Sequence, residues 1–304
     1  MKILITGGSG TLGKEISRIA IENNHIVNIL TRNKNLKSDN SSLNYFYWNP
    51  SKNEIDRNCF IGVDSVINLS GFSVFINWNK RNKSKILNSR VISTQFILSE
   101  IFTNKVQINS FVSASAISAY EDSINKESYE NDKINNENSF INQVVTHWES
   151  VVNQYMNKNK NISFSILRIG LILSKEGGLY KICRLLSKFY ILSSLGSGKQ
   201  WQSWIHVYDA ARIFLEAATH SWNGEINVVS PNPVKQKELI YKIASYNKSI
   251  VLFPNIPSII VKFIFGKMSE VLLSSQKIKT KKLDKYRFKY QYLDEALISL
   301  VNNI

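Results

Sequence analysis

The chain has 304 residues, of which 43% are hydrophobic and 20% are charged. This composition is typical of an ordinary globular protein, and no run approaches the roughly 18 apolar residues that a membrane-spanning helix needs. The formal net charge is +15, but the lysines are scattered among asparagines and no nucleic-acid-binding motif accompanies them. We therefore expect neither nucleic-acid binding nor an integral membrane segment.

Two features of the sequence bear on the cellular compartment. The N-terminus runs straight into MKILITGG, without the apolar region of a secretory signal. Cys59 and Cys183 lie far apart, and they lack the spacing of a disulfide framework or a zinc site. We expect a cytoplasmic protein without a bound metal, or a protein of an organelle stroma if a transit peptide has been removed.

Apolar runs and helical periods alternate along most of the chain. The predicted strands cover residues 1–6, 26–30, 43–48, 64–70, 108–116 and 162–170. The predicted helices cover residues 11–24, 85–102 and about 139–157. This alternation predicts an α/β protein with a Rossmann-like, doubly wound parallel sheet.

The last quarter of the sequence has a different character. A turn bracketed by prolines at 231–233 precedes a region that predicts two or three helices, a short strand at IVLFP and a basic segment, Lys277–Lys289. We therefore divide the chain into a dinucleotide-binding domain, residues 1–233, and a small C-terminal α+β lobe, residues 234–304, that completes the cleft. Just before this boundary, Asp209 is predicted to cap the N-terminus of a helix that ends near residue 219.

The segment TGGSGTLG, residues 6–13, lies between the first strand and the first helix. Its glycines have the G-x-x-G-x-x-G spacing, which lets a backbone approach a pyrophosphate at the start of a helix. The context of strand, turn and helix is the one that this motif requires. The predicted contacts with the cofactor here are Gly7, Gly10, Thr11, Leu12 and Gly13.

The end of the second strand predicts which nicotinamide cofactor binds. An acidic residue at this place favours NAD, whereas an arginine accommodates the 2′-phosphate of NADP. The sequence has Thr31 and Arg32 here, with no acidic residue before Asp39. Because a guanidinium group suits a phosphate, we favour NADP(H) over NAD(H).

Together these segments resemble the YfcH-type epimerase family of atypical extended short-chain dehydrogenases, whose C-terminal piece is a small domain of unknown function of the DUF1731 type. The resemblance rests on ITGGSGTLG, VINLSG (66–71), the tract from Trp78 through Ser89-Arg90 to Thr94, SASAISAY (113–120), LRIGLIL (167–173), GSGKQWQSWIHVYD (196–209) and NVVSPNPV (227–234). It implies a Rossmann-like NADP(H) domain that is completed by a C-terminal lobe over the cleft.

The resemblance also implies roles for individual residues. It places along the cofactor Asn68, Leu69, Ser70, Gly71, Ser113, Gly170 and Leu171. It makes Ser115 the residue that hydrogen-bonds a substrate hydroxyl or carbonyl. His206 falls in the far wall of the substrate cleft.

The catalytic pattern of short-chain dehydrogenases is a tyrosine and a lysine four residues apart on one helix face. YENDK offers this spacing with Tyr129 and Lys133, but its asparagines and aspartates favour a loop. In the predicted helix at about 139–157, the resemblance aligns Glu149 with the acidic residue commonly found one turn after the lysine. This alignment implies Ile141 and Val145 at the two positions, and neither can transfer a proton. The candidates for proton transfer are therefore Tyr120, Tyr129 with Lys133, His206, or a water.

The sequence supports two functions. The first is an NADP(H)-dependent epimerase or oxidoreductase with an unknown small-molecule substrate, acting as a monomer or homodimer. The second is a non-catalytic NADP-binding regulatory or scaffold protein, such as one related to cell division. A weaker hypothesis treats Lys277–Lys289 as a contact with a membrane surface or a partner.

Overall fold

The computed structural model describes residues 1–132, 134 and 139–302. Its strands are β1 (Lys2–Thr6), β2 (Ile26–Thr31), β3 (Leu43–Asn49), β4 (Glu54–Ile55), β5 (Ser65–Asn68), β6 (Ser110–Ala116), β7 (Ser123–Ser128), β8 (Ser163–Ile169), β9 (Leu171–Leu173), β10 (Trp201–Gln202), β11 (Trp204–His206), β12 (Gly224–Val228), β13 (Val234–Lys235) and β14 (Gln276–Ile278). Its helices are α1 (Thr11–Glu22), α2 (Lys80–Thr103), α3 (Phe140–Lys158), α4 (Gly178–Lys188), α5 (Val207–Thr219), α6 (Gln236–Tyr246), α7 (Ser258–Phe265), α8 (Ser269–Leu273) and α9 (Leu293–Asn302).

Eight strands form the main sheet, in the order β12-β8-β6-β5-β1-β2-β3-β4. Neighbouring strands are parallel, except that β4 runs antiparallel to β3. From β1 the chain adds β2, β3 and β4 on one side, and then β5, β6, β8 and β12 on the other side. The order of the strands therefore reverses between β1 and β5. A crevice opens there at the carboxyl ends of the strands. The doubly wound parallel sheet that the sequence predicts is confirmed.

Alternating side chains of the strands pack against helices on both faces of this sheet. In β1, Ile3 and Ile5 belong to the cluster that contains the buried residues of α1 and α5. Leu4 belongs to the opposite cluster, which contains residues of α2 and α3. This is the period of two that a strand imposes. The result is a sheet that is covered on both faces, with its carboxyl edge available for a ligand.

The C-terminal lobe shares its core with the segment that precedes it. Leu173, Tyr180 and Trp204 pack in one cluster with residues of α6 and α9 such as Leu239 and Leu297. The short pairs β10–β13 and β7–β14 also join the two parts of the chain. The division at residue 233 remains our prediction, and a core cluster extends across it.

Three local predictions of secondary structure differ from the structure. The described part of the C-terminal lobe forms four helices, α6 to α9, where two or three were expected. The IVLFP segment is not a strand: residues 250–254 carry no ladder hydrogen bonds, and Pro254 at its end lacks the N–H group that would extend a ladder. α2 begins at Lys80, five residues before its predicted start. Asn79 caps it, with Oδ1 accepting the backbone N–H of Asn82 at 2.9 Å.

Candidate functional site

A cavity of about 840 Å³ lies at the carboxyl edge of the sheet. This volume is within the ~300–1,000 Å³ that small-molecule sites occupy. Its wall includes the glycine turn after β1, the ends of β5, β6 and β8, the first turns of α3, and residues of α7 and α8. The predicted site residues in this wall are Gly7, Gly10, Thr11, Leu12, Gly13, Leu69, Gly71, Ser115, Tyr120, Gly170 and Leu171.

The glycine turn packs so closely that larger residues do not fit. Gly7 has a φ of +70°, and a Cβ atom added to it would lie 2.7 Å from the carbonyl oxygen of Leu69. A Cβ on Gly13 would lie 2.6 Å from the carbonyl oxygen of Gly7. Gly10 has more space, and it is the N-cap of α1 without a side-chain hydrogen bond. The free N–H groups at the start of α1 therefore remain available to an anion.

A second pair of glycines approaches the start of α1 from the other side of the cavity. A Cβ on Gly177 would lie 2.4 Å from the Oγ1 atom of Thr11. Gly177 and Gly178 both line the cavity. Sequence reasoning gave these glycines no role, because the approach joins residues that are far apart in the chain.

Thr31 and Arg32 lie at the same edge of the sheet as the glycine turn. The pairing of Thr6 with Leu30 between β1 and β2 brings the two strand ends together. The Thr31 hydroxyl accepts a hydrogen bond from the backbone of Asn33, and the Arg32 side chain is exposed. Neither residue belongs to the cavity wall. Their contact with a cofactor remains a prediction.

Three further predicted cofactor contacts are buried behind the cavity wall. The Asn68 amide accepts a hydrogen bond from Thr6 Oγ1 and donates one to Thr94 Oγ1, both at 2.7 Å. Ser113 is fully buried, and its hydroxyl donates to the carbonyl oxygen of Ala114. Ser70 is also buried. These side chains hold the strand ends in place beneath Leu69 and Gly71, and their predicted roles remain untested.

Ser115 lies at the cavity end of a buried network of charged groups. Its hydroxyl donates to Glu149 Oε1 at 2.5 Å. Arg168, paired with Ser115 across β6 and β8, donates to both oxygens of Glu149 at 2.9 and 2.8 Å. Burial lowers the pKa of Arg168, but the hydrogen bond and charge of Glu149 raise it overall. Glu149 and Arg168 are each 3% exposed, so the pair is held away from water.

Tyr120 lies at the other end of this network. Its hydroxyl accepts from Arg168 Nη1 and donates to Asn227 Oδ1, both at 2.8 Å. The backbone N–H of Asn227 in turn donates to Glu130, whose carboxylate also accepts from Thr280. Burial raises the pKa of Tyr120. Its hydroxyl therefore already has a donor and an acceptor, both on strands of the main sheet, whereas Glu130 joins this network to Thr280 of the C-terminal lobe.

The cavity face of α3 is apolar at the two positions where a catalytic tyrosine and lysine are expected. Ile141 and Val145 both line the cavity. The helix begins after Ser139, which caps it. The structure therefore places Ile141 and Val145 in the cavity wall, as the sequence predicted, and neither side chain can donate a proton.

Tyr129 lies outside the cavity wall, and Lys133 lies outside the described residues. Tyr129 follows β7 in a turn, where its hydroxyl donates to the carboxylate of Glu127. That hydrogen bond raises the pKa of Tyr129, whereas a catalytic tyrosine needs a lowered pKa. Its role in proton transfer remains an untested prediction.

His206 also lies outside the cavity wall. It caps α5, with Nδ1 accepting the backbone N–H of Tyr208 at 3.1 Å. Burial, with a smaller contribution from Lys289, lowers the pKa of His206 to about 4. The expectation that Asp209 caps this helix is wrong, because its carboxylate accepts the backbone N–H groups of Lys289 and Tyr290 instead.

Arg90 is a cavity residue to which sequence reasoning gave no role. Its guanidinium donates to the carbonyl oxygens of Phe72 and Ile86 at 3.0 and 3.1 Å and lies 5.5 Å from the Trp148 ring. Burial lowers its pKa to about 10, so it remains charged at neutral pH. Within the described part of the chain it has no carboxylate partner. The sequence feature that could have identified Arg90 is the tract from Ser89-Arg90 to Thr94, which is part of the family resemblance.

Comparison with known proteins decides the family. The model of the NAD dependent epimerase/dehydratase family matches residues 3–229. The chain belongs to this family. A domain of unknown function, DUF1731, matches residues 256–300.

Relatives in this family match almost the whole chain. An epimerase family protein of Staphylococcus saprophyticus is 32% identical over 96% of this chain and 95% of its own length. The epimerase family protein YfhF of Bacillus subtilis is 30% identical over 99% of this chain and 98% of its own length.

Solved structures share the fold. Human epimerase family protein SDR39U1, crystallised with NADPH, superposes with a TM-score of 0.85 at 22% identity, over 100% of both chains. MoeE5, solved with UDP-glucose and NAD, gives a TM-score of 0.81 at 14% identity, over 99% of this chain and 97% of its own.

Two features are absent from the described residues. No helix in them combines the length and the apolar character needed to cross a bilayer. They also contain no group of three or more histidine, cysteine, aspartate or glutamate side chains that is arranged to hold a metal ion.

Proposed function

We propose that this family member binds NADP(H) and transfers a hydride between the nicotinamide and the carbinol or carbonyl carbon of a small molecule. One observation carries the proposal: the glycine turn at the switch point of the sheet opens into the cavity that also contains Ser115. The family assignment and the NADPH bound to the human structural relative support it.

The chain's own residues fit a dinucleotide. The turn at Gly7 and Gly13 brings the backbone close to a diphosphate, and the N-terminus of α1 stabilises its charge. Arg32 supplies the cation for a 2′-phosphate, which is why we prefer NADP(H) to NAD(H). Gly170 has no room for a side chain, since a Cβ would lie 2.3 Å from the carbonyl oxygen of Ser203. Gly170 also lines the cavity, and this close packing fixes the position of its backbone beside the proposed nicotinamide site.

The Ser115 hydroxyl orients the substrate. Because Ser115 donates its own proton to Glu149, its lone pairs are left to accept a hydrogen bond from a substrate hydroxyl. Arg168 fixes the Glu149 carboxylate through two hydrogen bonds. Bound NADP(H) supplies the hydride acceptor or donor. In the bound state the substrate hydroxyl donates to Ser115 Oγ; as the hydride leaves in the oxidation direction, a water takes the hydroxyl proton, and reduction reverses this transfer.

Arg90 adds a preference for anions. A partly buried guanidinium without a carboxylate partner favours a negatively charged group in its surroundings. Since Arg90 contacts the cavity wall beside Gly71, we propose that it binds a phosphate or carboxylate of the cofactor or substrate.

One observation favours the second function, a nucleotide-binding regulatory protein. Ile141 and Val145 present hydrocarbon where a catalytic tyrosine and lysine are expected. A protein that senses NADP(H) without turning it over needs the glycine turn but no acid or base on α3.

The test is a turnover assay on wild type and on Ser115→Ala, with NADPH and a panel of carbonyl compounds and with NADP⁺ and the matching alcohols. We expect slow turnover by the wild type that Ser115→Ala abolishes, with unchanged binding of NADPH. Binding of NADPH without turnover of any compound would favour the regulatory function. Failure to bind either nucleotide would reject both.

A further inference from the structure

An exposed apolar region lies on the C-terminal side of the cavity. Among the described residues, 13 of the 23 exposed large hydrophobic side chains lie within 182–191 and 250–265. Isolated exposed hydrophobic residues are ordinary, but a concentration of them marks an interaction site. We call this set the apolar surface, and its members are Ile182, Leu185, Phe189, Tyr190, Ile191, Ile250, Leu252, Phe253, Ile259, Ile260, Phe263, Ile264 and Phe265.

The two segments of the apolar surface lie side by side. The backbone N–H of Ile256 donates to the carbonyl oxygen of Ser194 at 2.8 Å, and the N–H of Gly196 donates back to Ile256 at 2.8 Å. Ser249 Oγ donates to the carbonyl oxygen of Ser187 at 2.7 Å. The end of α4 and the segment that leads into α7 are therefore neighbours.

Helix α7 projects most of its side chains into solvent. Val261 is completely buried and attaches the helix to the lobe. Phe263 is 90% exposed and Ile259 is 75% exposed. Most of the apolar side chains in the sequence SIIVKFIF are not buried by this attachment. The outer face of α7 is therefore suited to contact an apolar partner.

The charged residues within the two segments of the apolar surface have one sign. The exposed side chains of Lys181, Lys188, Lys248, Lys262 and Lys267 lie among its members. None of these lysines forms a salt bridge within the described chain. The sequence has no aspartate or glutamate from 177 to 208 or from 239 to 269. The region therefore combines hydrocarbon with uncompensated positive charge.

We propose that the apolar surface docks the protein peripherally on an anionic phospholipid bilayer. Aromatic and aliphatic side chains enter the boundary between headgroups and acyl chains, while lysines contact the phosphates. A second copy of this chain fits less well, because a symmetric contact would bring the same lysines together. An uncharged apolar partner would leave them unpaired.

The location differs from the one that the sequence suggested. In the basic segment Lys277–Lys289, Lys277 pairs with Glu127 at 2.8 Å, and β14 is paired with β7. The backbone N–H of Lys289 donates to Asp209. This segment is thus bound to the rest of the protein, whereas α7 is free on its outer face.

Docking has a consequence for the cavity. Ser258 and Lys262 of α7 also belong to the cavity wall, so the apolar surface borders the mouth of the cavity. A protein docked in this way presents the cavity mouth to the lipid interface. The proposal does not depend on hydride transfer, since it concerns a surface outside the cofactor site.

The test is cosedimentation of the full chain with vesicles made of equal parts of phosphatidylglycerol and phosphatidylcholine, and with vesicles of phosphatidylcholine alone. We expect binding to the anionic vesicles, and weaker binding as salt is raised. Phe263→Ser with Ile264→Ser should lower the partition coefficient by about tenfold or more, because two large apolar groups are lost. Replacing Lys188, Lys248 and Lys267 by Gln should weaken binding to anionic vesicles selectively.

The matched control is Ile61→Ser, since Ile61 is 66% exposed and lies outside the apolar surface. It should leave vesicle binding unchanged. NADPH titration of each variant reports an intact cofactor site, which separates this test from that of the proposed function. The proposal is overturned if wild type does not sediment with anionic vesicles. It is also overturned if analytical ultracentrifugation shows a dimer that the Phe263 and Ile264 variant abolishes.

Discussion

The glycine turn between β1 and α1 and the cavity face of α3 line the same cavity, yet they are built in opposite ways. At the turn, Gly7 and Gly13 allow backbone atoms to approach more closely than any side chain permits. On α3, Ile141 and Val145 fill the wall with hydrocarbon, and the one acidic residue of the helix, Glu149, is bound by Arg168. The comparison teaches that nucleotide binding and proton transfer are separate properties of this site.

The largest effect is expected on the α3 side, from Glu149→Gln. This change leaves the buried guanidinium of Arg168 without its counter-charge, which typically costs about 3–5 kcal/mol. Urea denaturation monitored by circular dichroism measures the free energy of unfolding. Glu238→Gln is the control, because the exposed pair of Glu238 with Lys242 is worth about 0.5 kcal/mol or less. Equal stability of the two variants would show that the buried network does not hold the sheet to α3.

Gly10→Asp addresses the other side of the comparison. Aspartate is a good N-cap residue, so α1 should be retained, but its carboxylate would lie against a bound diphosphate. We expect an affinity for NADPH that is about 100-fold lower, from charge repulsion in a partly buried site. Isothermal titration calorimetry measures it.

Gly10→Asn is the matched control for that variant, since it has the same size without the charge. Its affinity should fall much less. If the two variants lose affinity equally, the steric room at Gly10 matters and the diphosphate does not lie at the start of α1.

A smaller effect should come from His206, which lies outside both sides of the cavity. Its pKa is about 4 when folded and about 6.5 when unfolded, so the unfolded state binds more protons between these values and stability falls as pH is lowered. From pH 7 to pH 5 the loss due to this group is about 2 kcal/mol. His206→Asn, which retains an N-cap, should reduce the pH dependence of unfolding by this amount.

A variant with an unchanged pH dependence would show that His206 is not held neutral by burial. It would then reopen the hypothesis that His206 transfers protons.

The smallest effect is expected from Tyr129→Phe. Tyr129 lies outside the cavity wall, so NADPH affinity and any turnover should stay within about twofold of wild type. Turnover that falls together with Tyr129→Phe would mean that the turn after β7 moves into the cavity. The cavity would then contain a side chain able to transfer protons, and the contrast between the glycine turn and the apolar face of α3 would no longer hold.

Local patterns were enough to predict much of this structure. The glycine turn, the parallel strands and the apolar positions Ile141 and Val145 follow from residues that are close in sequence. The closed network of Ser115, Glu149 and Arg168 does not, because it depends on the register between β6 and β8.

The predictions that were wrong or missing also concern contacts between residues that are far apart in the sequence. His206 and Asp209 are both able to cap a helix, and the choice between them is made by the backbone of Lys289 and Tyr290, 80 residues later. The close approach of Gly177 to Thr11 and the position of Arg90 beside Gly71 also depend on distant parts of the chain. Tertiary packing, which a single sequence does not display, decides these contacts.

The most direct measurement is an equilibrium titration of wild type and Arg32→Ala with NADPH and with NADH. The account predicts that wild type binds NADPH more tightly than NADH, and that Arg32→Ala reduces the affinity for NADPH to about that for NADH, because the guanidinium meets the 2′-phosphate. Absence of binding by both nucleotides would contradict the central claim that the glycine-lined cavity is a dinucleotide site.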